Sequence, residues 1–498
     1  MRRVVLLFNT IKFLKVRQLW GQLINRSRRK CHLRDQNRRF SLTKVDFSRE
    51  PNVTGKFCFP LTFCFLNRTK CFEKEVDWDF LSFGKLWNYN LEYFDYLMEN
   101  DISLDEKKML IRDFYSFSIK KERELEPYPI SLRTINIIRF SVQNNLFTEQ
   151  YLNFVYQELK YLNGHCEYHL LGNHLLENAF ALLLGGVFFD EKTWKLKAID
   201  ILKKELDEQI LNDGAHFELS PMYHKIIFYR ILELIDWYRN YKDNDESFLN
   251  YCLKKAELMR SWLENIQFHC GDIPLFNDSA KNIAYDSQFL LEYADSLKIT
   301  SSKVSLGESG YRTFKNYNYE IKVDFAQLGS SYQPGHAHAD TLSFILYYKG
   351  IPLFVEQGTS TYEIGVRREL ERSTGAHNTV IVAGKNQSEV WGGFRVGNRA
   401  KTTILKDDLE IIEAQHDGYE SLGIVHKRAY YFGNETLSIE DVLVGRTLSA
   451  QAVFHIHPRF SCIIAGNTVE IDGRVLCVFE NCDGIHIESF DYAESYNK

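Results

Sequence analysis

Two periodicities divide the chain. From about Leu91 to Leu297, apolar residues recur every three to four positions in runs such as SLRTINIIRFSVQNN, EQYLNFVYQELKYL, NHLLENAFALLLGG and MYHKIIFYRILELIDWYRNY. That spacing predicts successive amphipathic helices, with Gly and Pro falling mostly between them. A long series of helices joined by short loops predicts a layered helical array or toroid. After Lys303 the period becomes two, in YEIKVDFAQLG, SFILYYKGIPLFVEQ, TTILKDDLEIIEA and KRAYYFGNETLSIEDVLVG. Alternation with β-branched and aromatic residues, punctuated by Gly, Asn and Asp, predicts antiparallel strands packed as a sandwich. The expected class is therefore α+β multidomain: a lead segment over 1–85, a helical domain over 86–300 and a β domain over 301–498. The polar stretch KITSSKVSL marks the boundary between the last two. Residues 1–90 fit neither pattern well.

Composition adjusts this picture only slightly. With 45% hydrophobic and 26% charged residues, the 498-residue chain reads as globular and long enough for more than one core. The 14% aromatic content is read mainly as core. A formal charge of −5 gives no reason to expect nucleic acid, so a polyanionic partner would have to meet a local basic patch. The first forty residues are basic, with apolar positions at helical spacing, and are read as an amphipathic surface helix rather than a membrane anchor. Lys12 and Lys15 interrupt the apolar run, so no export signal is expected. No later segment is long enough to span a bilayer. Location is left open between cytoplasm and periplasm, and the sequence sets no oligomeric state. The ten Cys are scattered without a CxxC pair, which implies neither a zinc cluster nor a disulfide framework.

Candidate chemistry concentrates in GHAHADTLSF, PLFVEQGT and AHNTV. His336 and His338 are two apart, so an extended backbone would aim both imidazoles to one side. Glu356 and His377 arrive on later strand-like runs and could close a mixed nitrogen and oxygen metal site with His338. A pair of histidines by itself is equally a surface or hydrogen-bonded feature. In the helical half, Ser220 and Pro221 look like an N-cap and first helical residue, which puts Tyr223 in the first turn, where the helix dipole favours a phenolate. Packing above Ile227 is the plainer role. Asn173 is read as either a polar contact or the cap of a helix beginning at His174.

The run from Gly335 to Val380 resembles the signature of the heparinase II/III-like family, a group of polysaccharide lyases. QSEVWGGFR, HDGY and FHIHP in the C-terminal half, and WNYNLEYFDYL, EPYPISLR, LLGNHLLENA and DGAHFELSPMYH in the helical half, extend the likeness over nearly all of the chain after residue 85. The resemblance implies an incomplete α/α toroid facing an antiparallel β-sandwich. It also implies β-elimination at a uronic acid, with Tyr223 as acid and, in one alternative, base as well, His336 as second acid or base, and Asn173, with His174 beside it, neutralising the carboxylate. Arg133 in YPISLR is a candidate for holding a substrate carboxylate or sulfate, or else a structural salt bridge. By the same resemblance, His338, Glu356 and His377 hold a divalent metal, zinc by expectation, in a closed structural site. Glu356 stands where the family usually has Asp. No organic cofactor is implied, and the partner is an acidic polysaccharide. Two other readings are a glycan-binding protein of bacterial surface-polysaccharide assembly without efficient turnover, and a metal-dependent hydrolase built on the same histidines.

Overall fold

In a computed structural model of the chain, residues 2–27, 31–36, 38–51, 53–302 and 304–498 are described. Arg28, Arg29 and Lys30 of the basic lead, and Lys303 at the expected boundary, lie outside them. Two helices come first, α1 (Arg2–Ile11) and α2 (Val16–Ser27). A small antiparallel sheet follows, of β1 (Phe57–Cys58), β2 (Thr62–Phe65) and β3 (Arg68–Cys71). These strands are two to four residues long, too short to leave a readable period.

The predicted helices follow as α3 (Lys85–Tyr93), α4 (Leu104–Lys120), α5 (Pro127–Gln143), α6 (Leu152–His165), α7 (Gly172–Phe188), α8 (Lys192–Gln209), α9 (Pro221–Arg239), α10 (Glu246–Ile266) and α11 (Ser287–Ser296). Their starts are written locally. Ser103 and Glu106 form a reciprocal capping box on α4, Pro127 opens α5, and Ser220 with Pro221 opens α9. Helix α7 is apolar nearly all round because it lies in the interior, buried along almost its whole length.

The β half begins with an antiparallel sheet of β4 (Tyr311–Lys315), β5 (Tyr319–Asp324), β6 (Phe344–Tyr348) and β7 (Ile351–Phe354). After the short helix α12 (Val366–Glu371) come β8 (Val380–Val382), β9 (Val390–Trp391) and β10 (Arg395–Val396). A second four-stranded antiparallel sheet holds β11 (Thr402–Asp407), β12 (Ile411–His416), β13 (Ile424–Phe432) and β14 (Leu437–Gly445). Strand β15 (Ala450–Ala452) pairs with β8, and β16 (Cys462–Ala465), β17 (Thr468–Ile471) and β18 (Val475–Val478) make a small sheet. The period-two alternation is visible in β12, where every second residue is buried. Ile321, Val323 and Phe344 share one core with Ile412, Ala414 and Tyr430 from the second sheet and Ile471 from the third.

A separate apolar seam joins the halves. Leu219, Trp262, Phe268 and Phe276 from the helical side pack with Tyr311, Ile345 and Tyr347 from the first sheet. The C-terminal tail crosses back as well: Asn67 donates to Ser495 Oγ at 2.9 Å and to the Tyr496 carbonyl at 2.8 Å. This seam fixes α9 and the 276–279 segment against the loop that carries His336.

Candidate functional site

The HxH segment is a loop. Between β5 and β6 the backbone runs in turns rather than in the extended form expected, yet the two imidazoles still converge, because both are drawn to one carboxylate. His336 Nδ1 lies 2.9 Å from Asp278 Oδ2, and His338 Nε2 lies 2.8 Å from Asp278 Oδ1. Asp278 is fully buried and also accepts both terminal nitrogens of Arg368, on α12. Burial alone would raise the Asp278 carboxyl; Arg368 and the two histidine hydrogen bonds outweigh it and hold the group well below the usual carboxylate range. An ionised carboxylate only accepts, so His336 Nδ1 and His338 Nε2 must carry their protons. In the neutral form of each ring the lone pair is then on His336 Nε2 and His338 Nδ1. Arg372 donates to the Ala337 carbonyl at 2.8 Å and to the Gly393 carbonyl at 2.8 Å, clamping the backbone between the histidines.

Tyr223 reaches the same point from the helical half. The Ser220 hydroxyl accepts from the Tyr223 amide at 3.3 Å, so the cap and first turn stand as the sequence indicates. The tyrosine packs against the helical core that contains Ile227 and also reaches the seam: its ring lies 4.1 Å from that of His336, and its hydroxyl 3.2 Å from the hydroxyl of Tyr362. The expected phenolate is corrected, however. Burial, reinforced by Tyr496 and opposed by the Tyr362 hydrogen bond, pushes the phenol well above its ordinary value. The dipole of one helix end is too weak to offset that desolvation. The Tyr223 phenol therefore keeps its proton at neutral pH.

Asn173 does not cap its helix. Helix α7 starts a residue earlier, at Gly172, with Leu171 at the N-cap, so Asn173 sits in the first turn. Its backbone amide donates to Glu218 Oε1 at 3.2 Å, and its side-chain amide to both Glu218 oxygens at 3.1 Å. Glu218 thus serves the orphan amides of the helix start from outside. It is buried, with Oε2 3.6 Å from His336 Nε2. His174 turns elsewhere, with Nδ1 3.2 Å from Glu167 Oε1 and its ring 4.4 Å from that of Tyr128. Burial would lower the His174 pKa, but Glu167 outweighs it and raises it.

The substrate-holding role of Arg133 is corrected. Its guanidinium is almost wholly buried, with Nη2 2.6 Å from Glu158 Oε1 and Nη1 3.3 Å from Glu92 Oε2, so its fork is spent on an internal ion-pair network. His224 is likewise structural, with Nε2 3.0 Å from the Met259 carbonyl.

The three expected metal ligands lie near one another without forming a closed cage; among the described residues no three such side chains are drawn together as a preformed site. His377 Nδ1 hydrogen-bonds Glu356 Oε2, and the rings of His338 and His377 are 5.2 Å apart. Each of the three keeps one buried atom without a hydrogen-bond partner: His338 Nδ1, Glu356 Oε1 and His377 Nε2, with Asp340 Oδ2 as a fourth. Desolvation holds the His338 imidazole down at about 3, hence neutral, so its Nδ1 is a lone pair. Burial raises the Glu356 carboxyl. Buried ring nitrogens and carboxylate oxygens left without partners are groups that a cation would satisfy, so these residue types fit such a group chemically.

Sequence reasoning missed Glu218, Asp278, Tyr362 and Arg368. Glu218 stands in the quoted DGAHFELSPMYH run, two residues before the helix cap, but nothing there separates it from any surface Glu. The other three carry no local signal.

A helical half packed on antiparallel sheets, with a Tyr–His pair at the seam and the carboxylates of Asp278 and Glu218 on either side of the histidine, defines a class. Residues 134–303 match the family model described as Heparinase II/III N-terminus, and residues 298–498 match the one described as Heparinase II/III-like, C-terminal. The chain belongs to the heparinase II/III-like family. Among curated proteins it is similar to a heparin-sulfate lyase of Bacteroides stercoris, 27% identical over 313 residues covering 56% of this chain and 44% of the relative. It is also similar to a heparin-sulfate lyase of Pedobacter heparinus, 27% identical over 317 residues, 58% of this chain and 46% of the relative. The chain therefore spans less than half the length of these relatives. Among solved structures, one titled heparinase III shares the fold with a TM-score of 0.57 at 17% identity, over 77% of this chain and 66% of that one. A heparan sulfate lyase mutant from Pedobacter heparinus gives 0.55 at 20% identity, over 81% and 70%.

Proposed function

We propose that this chain is a lyase that cleaves a uronic acid-containing acidic polysaccharide by β-elimination, a glycosaminoglycan of the heparin or heparan sulfate type being the first substrate to try in view of its relatives. The observation that carries the reading is the ring pair at the seam, Tyr223 and His336, with centroids 4.1 Å apart and arriving from opposite halves of the chain. Their roles in this reading are complementary. The buried phenol holds its proton and suits the acid; His336, with Nδ1–H committed to Asp278, offers Nε2 as the base. Nε2 takes the C5 proton, the C5–H electron pair becomes the C4–C5 double bond, the C4–O bond breaks, and Tyr223 protonates the departing oxygen. Glu218, 3.6 Å from Nε2, is placed to stabilise the imidazolium that forms.

Asn173 Nδ2 carries two hydrogens, and in this reading one keeps Glu218 while the other meets the substrate carboxylate as it gains enolate charge. His174, its pKa raised by Glu167, adds positive charge beside that position. His338, Glu356 and His377, with Asp340, would hold a divalent cation, zinc being the natural choice for two imidazoles and carboxylates. Bound there, it would tie the HxH loop to the strands beyond and supply structure rather than a step. The reading calls for no organic cofactor. We further read α3–α11 as an incomplete α/α toroid spanning 86–300 and the two four-stranded sheets as a sandwich within 301–498, supported by the helix succession and by the core those sheets share.

Incubation with heparan sulfate, heparin, chondroitin sulfate and alginate should yield an unsaturated uronate chromophore with at least one of them. Tyr223→Phe should lower turnover by about 10²–10⁴-fold while glycan binding persists. No chromophore with any polymer, or full turnover in Tyr223→Phe, would overturn the reading.

A further inference from the structure

Helices α1 and α2 are amphipathic in the reverse sense. A surface helix ordinarily turns its apolar stripe to the core. In α2 the polar and small residues face inward: Gln18 is buried and donates to the Leu170 carbonyl at 3.4 Å, and Arg17 pairs with Glu205 at 2.9 Å. Gly21 lies so close to the next segment that a Cβ there would stand 2.7 Å from the His169 amide nitrogen. The stripe at spacing i, i+3, i+4, i+7, made by Val16, Leu19, Trp20 and Leu23, points out, with Val16 70% and Trp20 63% exposed. Helix α1 repeats the arrangement: Thr10 bonds Trp391 Nε1 at 3.3 Å on the β half, while Leu7, Phe8 and Ile11 face solvent, Phe8 being 67% exposed.

An apolar face of this extent, with an aromatic on each helix, is more than scattered surface residues. Its surroundings name the occupant. The first forty residues hold twelve Lys and Arg against one Asp, in a chain whose formal charge is −5. Among the described residues no helix is long and apolar enough to cross a membrane. Apolar side chains with Trp at the boundary, set in a basic segment, match an anionic phospholipid surface, which offers acyl chains and negative headgroups together. A soluble polyanion offers only the second. We propose that α1 and α2 dock the protein flat on an anionic membrane surface. Because α1 packs on the β half and α2 on the helical half, the docked face straps both sides of the seam.

The 498-residue chain should co-sediment with phosphatidylglycerol vesicles about tenfold more than with phosphatidylcholine vesicles, and the difference should shrink with added salt. Leu19→Glu with Leu23→Glu should abolish sedimentation while the thermal melt stays unchanged. Should that pair impair folding, Lys12→Glu with Arg26→Glu, both at exposed positions, should still cut phosphatidylglycerol binding. Equal or absent sedimentation with the two lipids would overturn the proposal, as would retained binding in the folded variants. So would a dimer, seen by light scattering, that the Leu19→Glu and Leu23→Glu chain loses, since a second copy would then be the occupant.

Discussion

Replacing Asp278 by Asn tests the centre of the site with a change of one atom type. The carboxylate is fully buried and receives five hydrogen bonds, two from Arg368 and one each from His336, His338 and Thr359. Asn keeps a single oxygen and turns an NH2 toward groups that are themselves donors, leaving the buried Arg368 guanidinium without its counter-charge. Breaking a buried ion pair on one side costs about 3–5 kcal/mol. That is a large part of the roughly 5–15 kcal/mol that holds a typical domain folded. The chemistry should suffer separately: the Asn amide donates to His336 Nδ1, so the ring proton moves to Nε2 and the base lone pair is lost. Turnover should then fall about 10³–10⁴-fold with KM little changed, as expected when a base is held in the wrong tautomer. Urea unfolding followed by circular dichroism gives the first quantity, and initial rates below the melting range give the second. Wild-type stability together with wild-type kcat would refute both the ion-pair and the tautomer argument.

Arg133→Met should destabilise the fold by about 3–5 kcal/mol, because Glu158 is left buried without its cation while Glu92 keeps Arg123; a raised KM at unchanged stability would instead return Arg133 to substrate binding. Acid should unfold the protein early. His216 and His224 are held neutral by burial, at about 4 and about 3, below the ordinary histidine value near 6.5. Folded pKa values below the unfolded ones mean that the unfolded chain binds more protons in this window, so stability present above about pH 6.5 is lost progressively toward pH 4. Melting temperatures flat from pH 7 to about pH 4.5 would contradict it. Treatment with a chelator should lower the melting temperature, and zinc should restore it, if the unpartnered atoms of His338, Glu356 and His377 hold a cation; an unchanged melt, with no metal found by elemental analysis, would remove the cation from the reading.

The sequence settled what depends on neighbours along the chain. Alternating periods separated helices from strands because each element buries one face, and the burial pattern is written every 3.6 or two residues. Ser220 and Pro221 placed Tyr223 in a first helical turn because capping is a contact across three residues. The HxH spacing and the family likeness brought His336, His338, Glu356 and His377 into view. Tertiary structure alone decided the rest. Asp278, Tyr362 and Arg368 are ordinary residues in their own segments, and they acquire a role only where the seam brings those segments together. Whether Arg133 faces substrate or Glu158, whether Asn173 is a cap or a partner of Glu218, and which face α2 turns outward are likewise set by groups far away in sequence. The protonation of Tyr223 makes the point in energetic terms: the dipole that favours a phenolate is local and legible, whereas the desolvation that overrules it comes from the whole surrounding fold.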